Sequence, residues 1–281
     1  MGSIRRIVAE HLTTAVALAA WAMLGVSAPW TQVADDRVLS ITVSTWGWTL
    51  WFVATIALLV PSPLSATAMR TVTPLAVVVA ATAAHPAALF AAIVTAIVVR
   101  SSDFTDTMVQ GGAYGDERRF ALRTPLPYLA PAALGWLLLT STLIGGSILV
   151  AAGQWIVGAP LCLIGAVTAP ALVKRLHRLS RRWLVLVPAG IVIHDHLALA
   201  ETVMSPRSKI ASMRIVDTDE DVADLTGGAL GPRLAVELRE SDKVILSQVT
   251  ARLLGTGEAL HVRTFAVAPR RIAAVRRALN L

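Results

Sequence analysis

His194-Asp195-His196 is the motif in this sequence that most suggests metal chemistry, because imidazoles at positions i and i+2 of a strand lie on one face. A zinc site needs three or four ligands, and only Glu201 follows closely enough to reach these histidines across a hairpin. We therefore predict no metal ion here and interpret the three residues as the polar end of a strand.

Acidic residues are concentrated shortly afterwards, in the segment 217–224. An EF-hand loop needs a glycine and a terminal glutamate at fixed spacing, and this segment has neither. We interpret it as a solvated loop. Because no nucleophile–base pair and no cofactor-binding motif can be recognised elsewhere, we predict a protein without a cofactor that is not an enzyme. The acidic residues are Asp217, Asp219, Glu220, Asp221 and Asp224.

Arginines form two clusters that are better suited to binding. The first lies in GGAYGDERRFALRTP, residues 111–125, which lacks the GK[ST] ending of a phosphate-binding loop. This segment either docks on lipid, on a partner or on the C-terminal domain, or is a solvated loop that only sets topology. The second cluster starts at Lys174. Basic residues beside apolar segments contact anionic headgroups. We predict such lipid or partner contacts for Arg118, Arg119, Arg123, Arg175, Arg178, Arg181 and Arg182.

The composition changes abruptly at Val173–Lys174. The chain has 281 residues, 55% of them hydrophobic, and 17 of its 25 Lys and Arg follow this point. That much apolar surface indicates an integral membrane protein. In such a protein the net charge of +7 sets topology rather than binding nucleic acid. We predict a transmembrane domain over 1–173, a basic juxtamembrane linker over 174–182 and a cytosolic β domain over 183–281.

The uncharged stretches predict about six membrane-spanning helices. A span needs about 20 apolar residues, but the stretch 72–99 is long for one helix and is interrupted by His85-Pro86. Two short helices there, over 72–84 and 86–99, would place 24 of the 25 Lys and Arg on the cytoplasmic side together with both termini. This pair forms two thin spans or a re-entrant hairpin, with one long helix as the alternative, and His85 caps the turn. The other predicted spans are 12–30, 41–60, 131–152 and 155–173.

The pattern after Trp183 is typical of β-structure. Short apolar runs, WLVLV and IVIH, are separated by Pro188-Ala189-Gly190, which predicts a hairpin. We predict further strands over 200–204, 213–216, 234–239, 243–248 and 260–266. A terminal helix over 269–279 carries an apolar stripe of Ile272, Val275 and Leu279.

About seven strands followed by one helix resemble a bacterial pleckstrin-homology-like (PH-like) domain. The segments that carry this resemblance are WLVLVPAGIVIHD, SPRSKIASMRI and FAVAPRRIAAVRRAL. At the level of the whole chain, GGAYGDERRFALRTP and LHRLSRRWLVLVPAGIVIHD resemble segments of actinobacterial multi-pass membrane proteins. The PH-like resemblance implies lipid or protein binding rather than catalysis.

Two functions follow as hypotheses. The first is a non-enzymatic accessory or scaffold protein of the plasma membrane, whose partners are anionic membrane lipids and an unidentified membrane protein. The alternative is a transporter of small solutes or lipids that uses the central helix pair as its pathway. A polar cavity between the helices would favour the transporter, whereas a bundle packed through alanine would favour the scaffold.

Overall fold

The structure, a computed structural model, describes residues 2–217, 222–253 and 255–280, and within them the side chains of residues 12–252 and 255–280. The chain forms two compact units, each built from two separate segments. The first, which we call the helical unit, comprises Met1–Met108 and Ala132–His177. The second, the β unit, comprises Val109–Pro131 and Arg178–Leu281.

Within the described residues, five helical segments are long and apolar enough to cross a membrane. A sixth would result if α4 and α5, which meet at a bend of 63°, acted as one span. The helices are α1 (Gly2–Ser27), α2 (Arg37–Leu59), α3 (Pro63–Thr82), α4 (Pro86–Arg100), α5 (Ser102–Gln110), α6 (Leu129–Thr140), α7 (Gly146–Ala151) and α8 (Trp155–Ser180), with a π-helical turn at Ser141–Gly145 between α6 and α7.

The central helix pair differs from the prediction in length. Its first member, α3, has 20 residues rather than about 14, because it begins at Pro63 behind Ser62, whose hydroxyl accepts a hydrogen bond from the Ser65 amide. At about 1.5 Å per residue it is about 30 Å long, close to the hydrocarbon thickness of a bilayer. The second member, α4, is short, with 15 residues.

His85 caps α4, which confirms the structural role predicted for it. Its Nδ1 accepts a hydrogen bond from the Ala88 amide at 3.2 Å, and Pro86 occupies the first turn, where proline is tolerated. α4 packs against both α3 and α1, and Ala80 on α3 and Ala91 and Ala92 on α4 are almost completely buried. Alanine at a helix contact allows the backbones to approach closely.

The predicted linker over 174–182 requires correction. α8 continues without a break to Ser180, and Arg182 already begins the first strand that follows it. Leu, Arg and His in this stretch are good or neutral helix formers, and no glycine or proline interrupts them. The basic cluster therefore lies on the last turns of a helix rather than on a separate connection.

The β unit consists of two four-stranded sheets that enclose one apolar core. The first sheet has the order β1-β2-β3-β4 and is antiparallel throughout, and the second has the order β5-β7-β8-β6. Phe120, Leu184, Leu234 and Phe265 are among the buried side chains of the core. The strands are β1 (Arg118–Ala121), β2 (Arg182–Val187), β3 (Gly190–Asp195), β4 (Val203–Pro206), β5 (Ile210–Val216), β6 (Ala223–Asp224), β7 (Arg233–Ile245) and β8 (Ala259–Val267).

Strand β1 is the main departure from the predicted domain boundaries, because it comes from the loop 111–125. It pairs antiparallel with β2, so that Phe120 lies opposite Leu184. The segment 118–122 has the alternating pattern that favours a strand, with Phe120 and Leu122 pointing to the core. The β domain therefore does not begin at residue 183. Its first hairpin is interrupted by the apolar segment from α6 to α8.

The remaining strands largely follow the predicted pattern. The hairpin β2–β3 turns at Pro188-Ala189 as expected. The two strands predicted over 234–239 and 243–248 form one long strand, β7, with an irregularity between Glu237 and Asp242. After β7 come a short helix, α9 (Gln248–Leu253), and β8.

The structure confirms the predicted terminal helix and its apolar stripe. α10 (Ile272–Leu279) buries Val275 completely, and Ile272 and Leu279 pack against the same core. Arg276 and Arg277 lie on the exposed side of the helix.

Candidate functional site

The seven arginines predicted as binding residues fall into two groups. Four of them are exposed: Arg118, Arg175, Arg178 and Arg181. The other three, Arg119, Arg123 and Arg182, contact other parts of the β unit. The sequence places these residues in two clusters, but only the structure distinguishes solvent-facing guanidinium groups from engaged ones.

Arg182 is the clearest correction, because its side chain is only 1% exposed. It faces the core and forms a bidentate pair with the equally buried Asp195, with distances of 2.7 Å from Nε to Oδ1 and 2.6 Å from Nη2 to Oδ2. Its Nη1 also donates to the carbonyl oxygen of Arg123 at 2.6 Å. A buried guanidinium that is paired in this way is not available to a lipid headgroup, so the predicted role of Arg182 is wrong.

Arg119 orders the loop that precedes β1. Its guanidinium forms an ion pair with Glu117 at 2.9 Å, and this hydrogen bond lowers the pKa of Glu117. The same guanidinium lies 5.7 Å from the ring centroid of Trp183, within the range of a cation–π contact. Gln110 adds a further link, since its Oε1 accepts from the Arg119 amide at 2.8 Å. The loop is therefore docked on the β unit, one of the roles considered for it.

The predicted histidine pair lies beside this arginine on the outer face of the first sheet. The His194 ring stacks on Trp183 with centroids 4.5 Å apart, and His196 meets His194 edge-on at 4.3 Å. Burial above all, together with repulsion from His196, Arg181 and Arg119, lowers the pKa of His194 to about 4. His194 is therefore neutral at physiological pH.

Metal binding finds no further support at these histidines. Among the residues that the structure describes, no three His, Cys, Asp or Glu side chains are grouped closely enough to hold an ion. Of the acidic run, Asp217 and Asp224 are described, whereas Asp219, Glu220 and Asp221 lie outside the described residues. Asp224 forms a loose ion pair with Arg233 at 3.6 Å.

Arg123 lies just after β1 and is half-buried. Its backbone amide donates to the carbonyl of Ala268, and its guanidinium donates to the carbonyl of Pro232. Burial and the neighbouring charge of Arg233 both lower the pKa of Arg123, although an arginine remains protonated at all physiological pH values. Within the described part of the chain, no carboxylate lies within ion-pair distance of Arg123.

The β unit also contains a cavity of about 290 Å³ at the turn end of the β2–β3 hairpin. Its walls combine apolar side chains of β2, β3 and β5 with the end of α10 and with Arg207, a mixture suited to a ligand that is partly apolar and partly anionic. The walls include Leu186, Ile191, Arg207, Ile210, Met213 and Leu279.

The helical unit has an apolar cavity of about 80 Å³, lined by aliphatic side chains and four tryptophans. Trp21 and Trp51 donate their indole hydrogens to each other's carbonyl oxygens, and Trp46 donates to Ser147. Trp30 is buried, and its indole nitrogen has no hydrogen-bond partner in the described structure. Four tryptophans thus line one apolar cavity. The four tryptophans are Trp21, Trp30, Trp46 and Trp51.

Comparison with protein-family models, with curated proteins and with solved structures finds no match for this chain. The PH-like and actinobacterial resemblances are therefore predictions from the sequence pattern.

Sequence reasoning missed β1 and the buried partner of Arg182. The alternation in Arg118-Arg119-Phe120-Ala121-Leu122 was a usable signal, since it has the period of a strand. No local signal could identify Asp195 as a buried ion-pair partner, because it lies 13 residues from Arg182 in a motif that looks like the end of a strand.

Proposed function

We propose that this chain is a non-enzymatic, multi-pass protein of the plasma membrane that acts as an accessory or scaffold. Both termini lie in the cytoplasm, six segments insert into the bilayer, and the β unit is a PH-like module that binds lipid or a protein partner. The support for membrane insertion is the set of apolar helices, together with the arginines that follow them.

The observation that carries this proposal is the way in which the β unit is attached. The apolar segment from α6 to α8 leaves after β1 and returns at β2, and the residues at the two junctions are hydrogen-bonded: the Leu122 amide donates to the Arg182 carbonyl at 3.0 Å. One end of the β1–β2 hairpin is thus tethered to both apolar helices. The cavity beside Gly190 and Arg207 lies at the other end of β2.

This attachment suits a module that presents a ligand site away from the membrane. A strand rises about 3.3 Å per residue, so the six-residue strand β2 separates its two ends by roughly 17 Å. A cavity at that distance from the tether is accessible to a cytosolic ligand or partner. Two four-stranded sheets, antiparallel except for the pairing of β6 with β8, and a terminal helix also agree with the PH-like interpretation.

The transporter alternative has less support. The cavity between the helices is lined by apolar side chains and tryptophan, and the central helices pack through alanine. A pathway for a polar solute would need polar or charged groups facing a water-filled space.

Membrane topology is testable by cysteine labelling after Cys162→Ala, which removes the sole cysteine. In intact cells we expect an impermeant thiol reagent to label Asp36→Cys and to leave Ala113→Cys unlabelled until the membrane is opened. Labelling of Ala113→Cys in intact cells would contradict the proposed topology.

The module's role is testable by affinity purification in mild detergent, using two substitutions on α10. Ala278 lines the cavity, so Ala278→Trp should block it and remove a partner that binds there. Ala273 is exposed on the same helix and does not line the cavity, so Ala273→Trp should retain the partner. Equal recovery of every protein with both variants would show that the cavity does not bind a partner.

A further inference from the structure

The loop Thr226–Pro232 of the β unit lies against the turn that leads into α6. Gly227 and Gly228 both have positive φ, which glycine adopts without strain. A Cβ on Gly227 would lie 3.3 Å from the Cγ of Pro125, and one on Gly228 would lie 3.9 Å from the Cδ of Pro127. The loop backbone is therefore in close contact with the residues that precede the apolar helix.

Hydrogen bonds hold the conformation of this loop. The Thr226 amide donates to Asp224 at 2.7 Å, and the Ala229 amide donates to the Thr226 hydroxyl at 3.1 Å. The carbonyl of Thr226 accepts a weaker bond from the buried Arg182 at 3.4 Å. The loop is thus anchored to the same ion pair that joins β2 and β3.

The tip of the loop exposes a large apolar side chain. Leu230 is 63% exposed, and Leu126 and Leu129, beside the prolines that the loop contacts, are 50% and 49% exposed. A polar residue at such a tip would avoid the cost of exposing leucine to water. Because the leucines adjoin the start of a segment long enough to span a bilayer, the apolar environment nearest to them is the membrane interface.

Positive charge accompanies this apolar surface. Arg182 and Arg233 are paired with Asp195 and Asp224, whereas Arg123 has no carboxylate partner among the described residues. The Nε of Arg123 is buried without a hydrogen-bond partner in the described structure, and its Nη2 donates to Pro232 within the loop. A phosphodiester oxygen is the acceptor that a guanidinium at the headgroup level would meet.

We propose that the loop Thr226–Pro232 is a third attachment of the β unit to the membrane, with Leu230 inserted at the interface and Arg123 bound to a phospholipid phosphate. This inference rests on the proposed membrane function, since the bilayer supplies the ligand. The two chain junctions lie next to each other on β1 and β2, and the loop adds a contact at a separate point of the β unit.

The test uses full-length protein with Cys162→Ala, reconstituted in vesicles of phosphatidylcholine and phosphatidylglycerol. An environment-sensitive fluorophore is attached to Leu230→Cys, and some lipids carry a nitroxide quencher near the ester end of the acyl chain. We expect the probe at position 230 to lose most of its emission. A probe at Ala189→Cys, in the exposed turn at the other end of β2, should lose none.

A third probe, at Leu137→Cys in α6, separates this inference from the proposed membrane function. Leu137 is an exposed apolar residue within the segment expected to span the bilayer. Quenching at 137 with none at 230 would overturn the loop inference alone. Absence of quenching at 137 would overturn membrane insertion, and the loop inference would fall with it.

Substitutions of Arg123 test the phosphate contact in the same assay. Raising the phosphatidylglycerol fraction should increase quenching at position 230 in the parent protein and with Arg123→Lys, which keeps the charge. Arg123→Gln should abolish this increase, whereas Arg239→Gln, at an exposed position of β7 outside the loop and the cavity, should leave it unchanged. An unchanged response with Arg123→Gln would exclude Arg123 as the phosphate ligand.

Discussion

Buried threonines of the helical unit and the buried Arg182 of the β unit obtain their hydrogen bonds in different ways. In the helical unit, Thr95 and Thr142 are buried, and each hydroxyl donates to the carbonyl four residues earlier, at 2.9 Å and 2.6 Å. In the β unit, the buried Arg182 connects to Asp195, to Arg123 and to Thr226, which are 13, 59 and 44 residues away. These threonines of the helical unit use local bonds, and the long-range bonds of this unit come from other side chains such as Trp46, which donates to Ser147. Arg182 of the β unit bonds only to distant segments.

This difference has a physical basis. A helix satisfies its backbone within one segment, so its hydroxyls find acceptors one turn away. The backbone amides and carbonyls of a sheet are paired only when separate strands meet. Buried side chains in a sheet then also bond to residues that are far away in the sequence. The β unit should therefore be sensitive to the loss of any one segment, whereas the helical unit should be sensitive mainly to the space between its helices.

The largest effect should follow from separating β1 from the rest of the β unit. We expect a fragment of residues 178–281 to lack a cooperative unfolding transition, because it has no Phe120 in the core and no strand beside β2. Joining residues 109–123 to residues 181–281 through a short glycine–serine linker should restore one. Urea unfolding followed by the fluorescence of Trp183, the sole tryptophan of both fragments, measures the difference. A cooperative transition in the shorter fragment would show that β1 is dispensable.

Breaking the buried ion pair should have the next largest effect. We expect Arg182→Ala to cost about 3–5 kcal/mol of unfolding free energy, because it leaves Asp195 buried without its partner. Hydrogen exchange of the full-length protein should show faster exchange throughout β2 and β3. The adjacent Arg181 is exposed, so Arg181→Ala should change the stability by less than about 0.5 kcal/mol.

Two adjacent glycines test the importance of close packing in the helical unit. A Cβ on Gly146 would lie 2.9 Å from the Cys162 Sγ and 3.0 Å from the Cys162 amide nitrogen, whereas one on Gly145 would meet nothing within 4 Å. We expect Gly146→Ala to cost about 1–3 kcal/mol by overpacking. Gly145→Ala should instead stabilise the protein by up to about 1 kcal/mol, because alanine favours the helix. Thermal unfolding in detergent should show shifts of the unfolding temperature that have opposite signs for the two variants. Shifts of the same sign would contradict the close contact of Gly146 with Cys162.

The smallest effect should be a dependence of β-unit stability on pH through His194. Folding lowers the pKa of this base from 6.5 to about 4, so between these values the unfolded chain binds a proton that the folded chain does not. Stability should therefore fall as the pH is lowered through this window. His194→Phe keeps an aromatic ring against Trp183 and should flatten the dependence, whereas substitution of the exposed His261 by Phe should not. Denaturant unfolding at several pH values measures both.

The sequence by itself determined the features that arise within single segments. Apolar runs of about 20 residues located the long helices, and His85-Pro86 located the cap of α4. The hairpin at Pro188-Ala189 and the stripe of α10 follow from the same kind of local signal. Each of these depends on backbone conformation and on side chains a few residues apart, which the order of residues specifies directly.

The tertiary structure alone decided which distant segments meet. It assigned residues 118–121 to the first sheet across an insertion of 60 residues, and it turned Arg182 from a surface residue into the buried partner of Asp195. It also brought the loop around Leu230 next to the turn before α6. Pairing of strands and of charges that are far apart in the sequence requires a long loop to close and both segments to join one core. A local pattern of residue types does not show which segments join the same core.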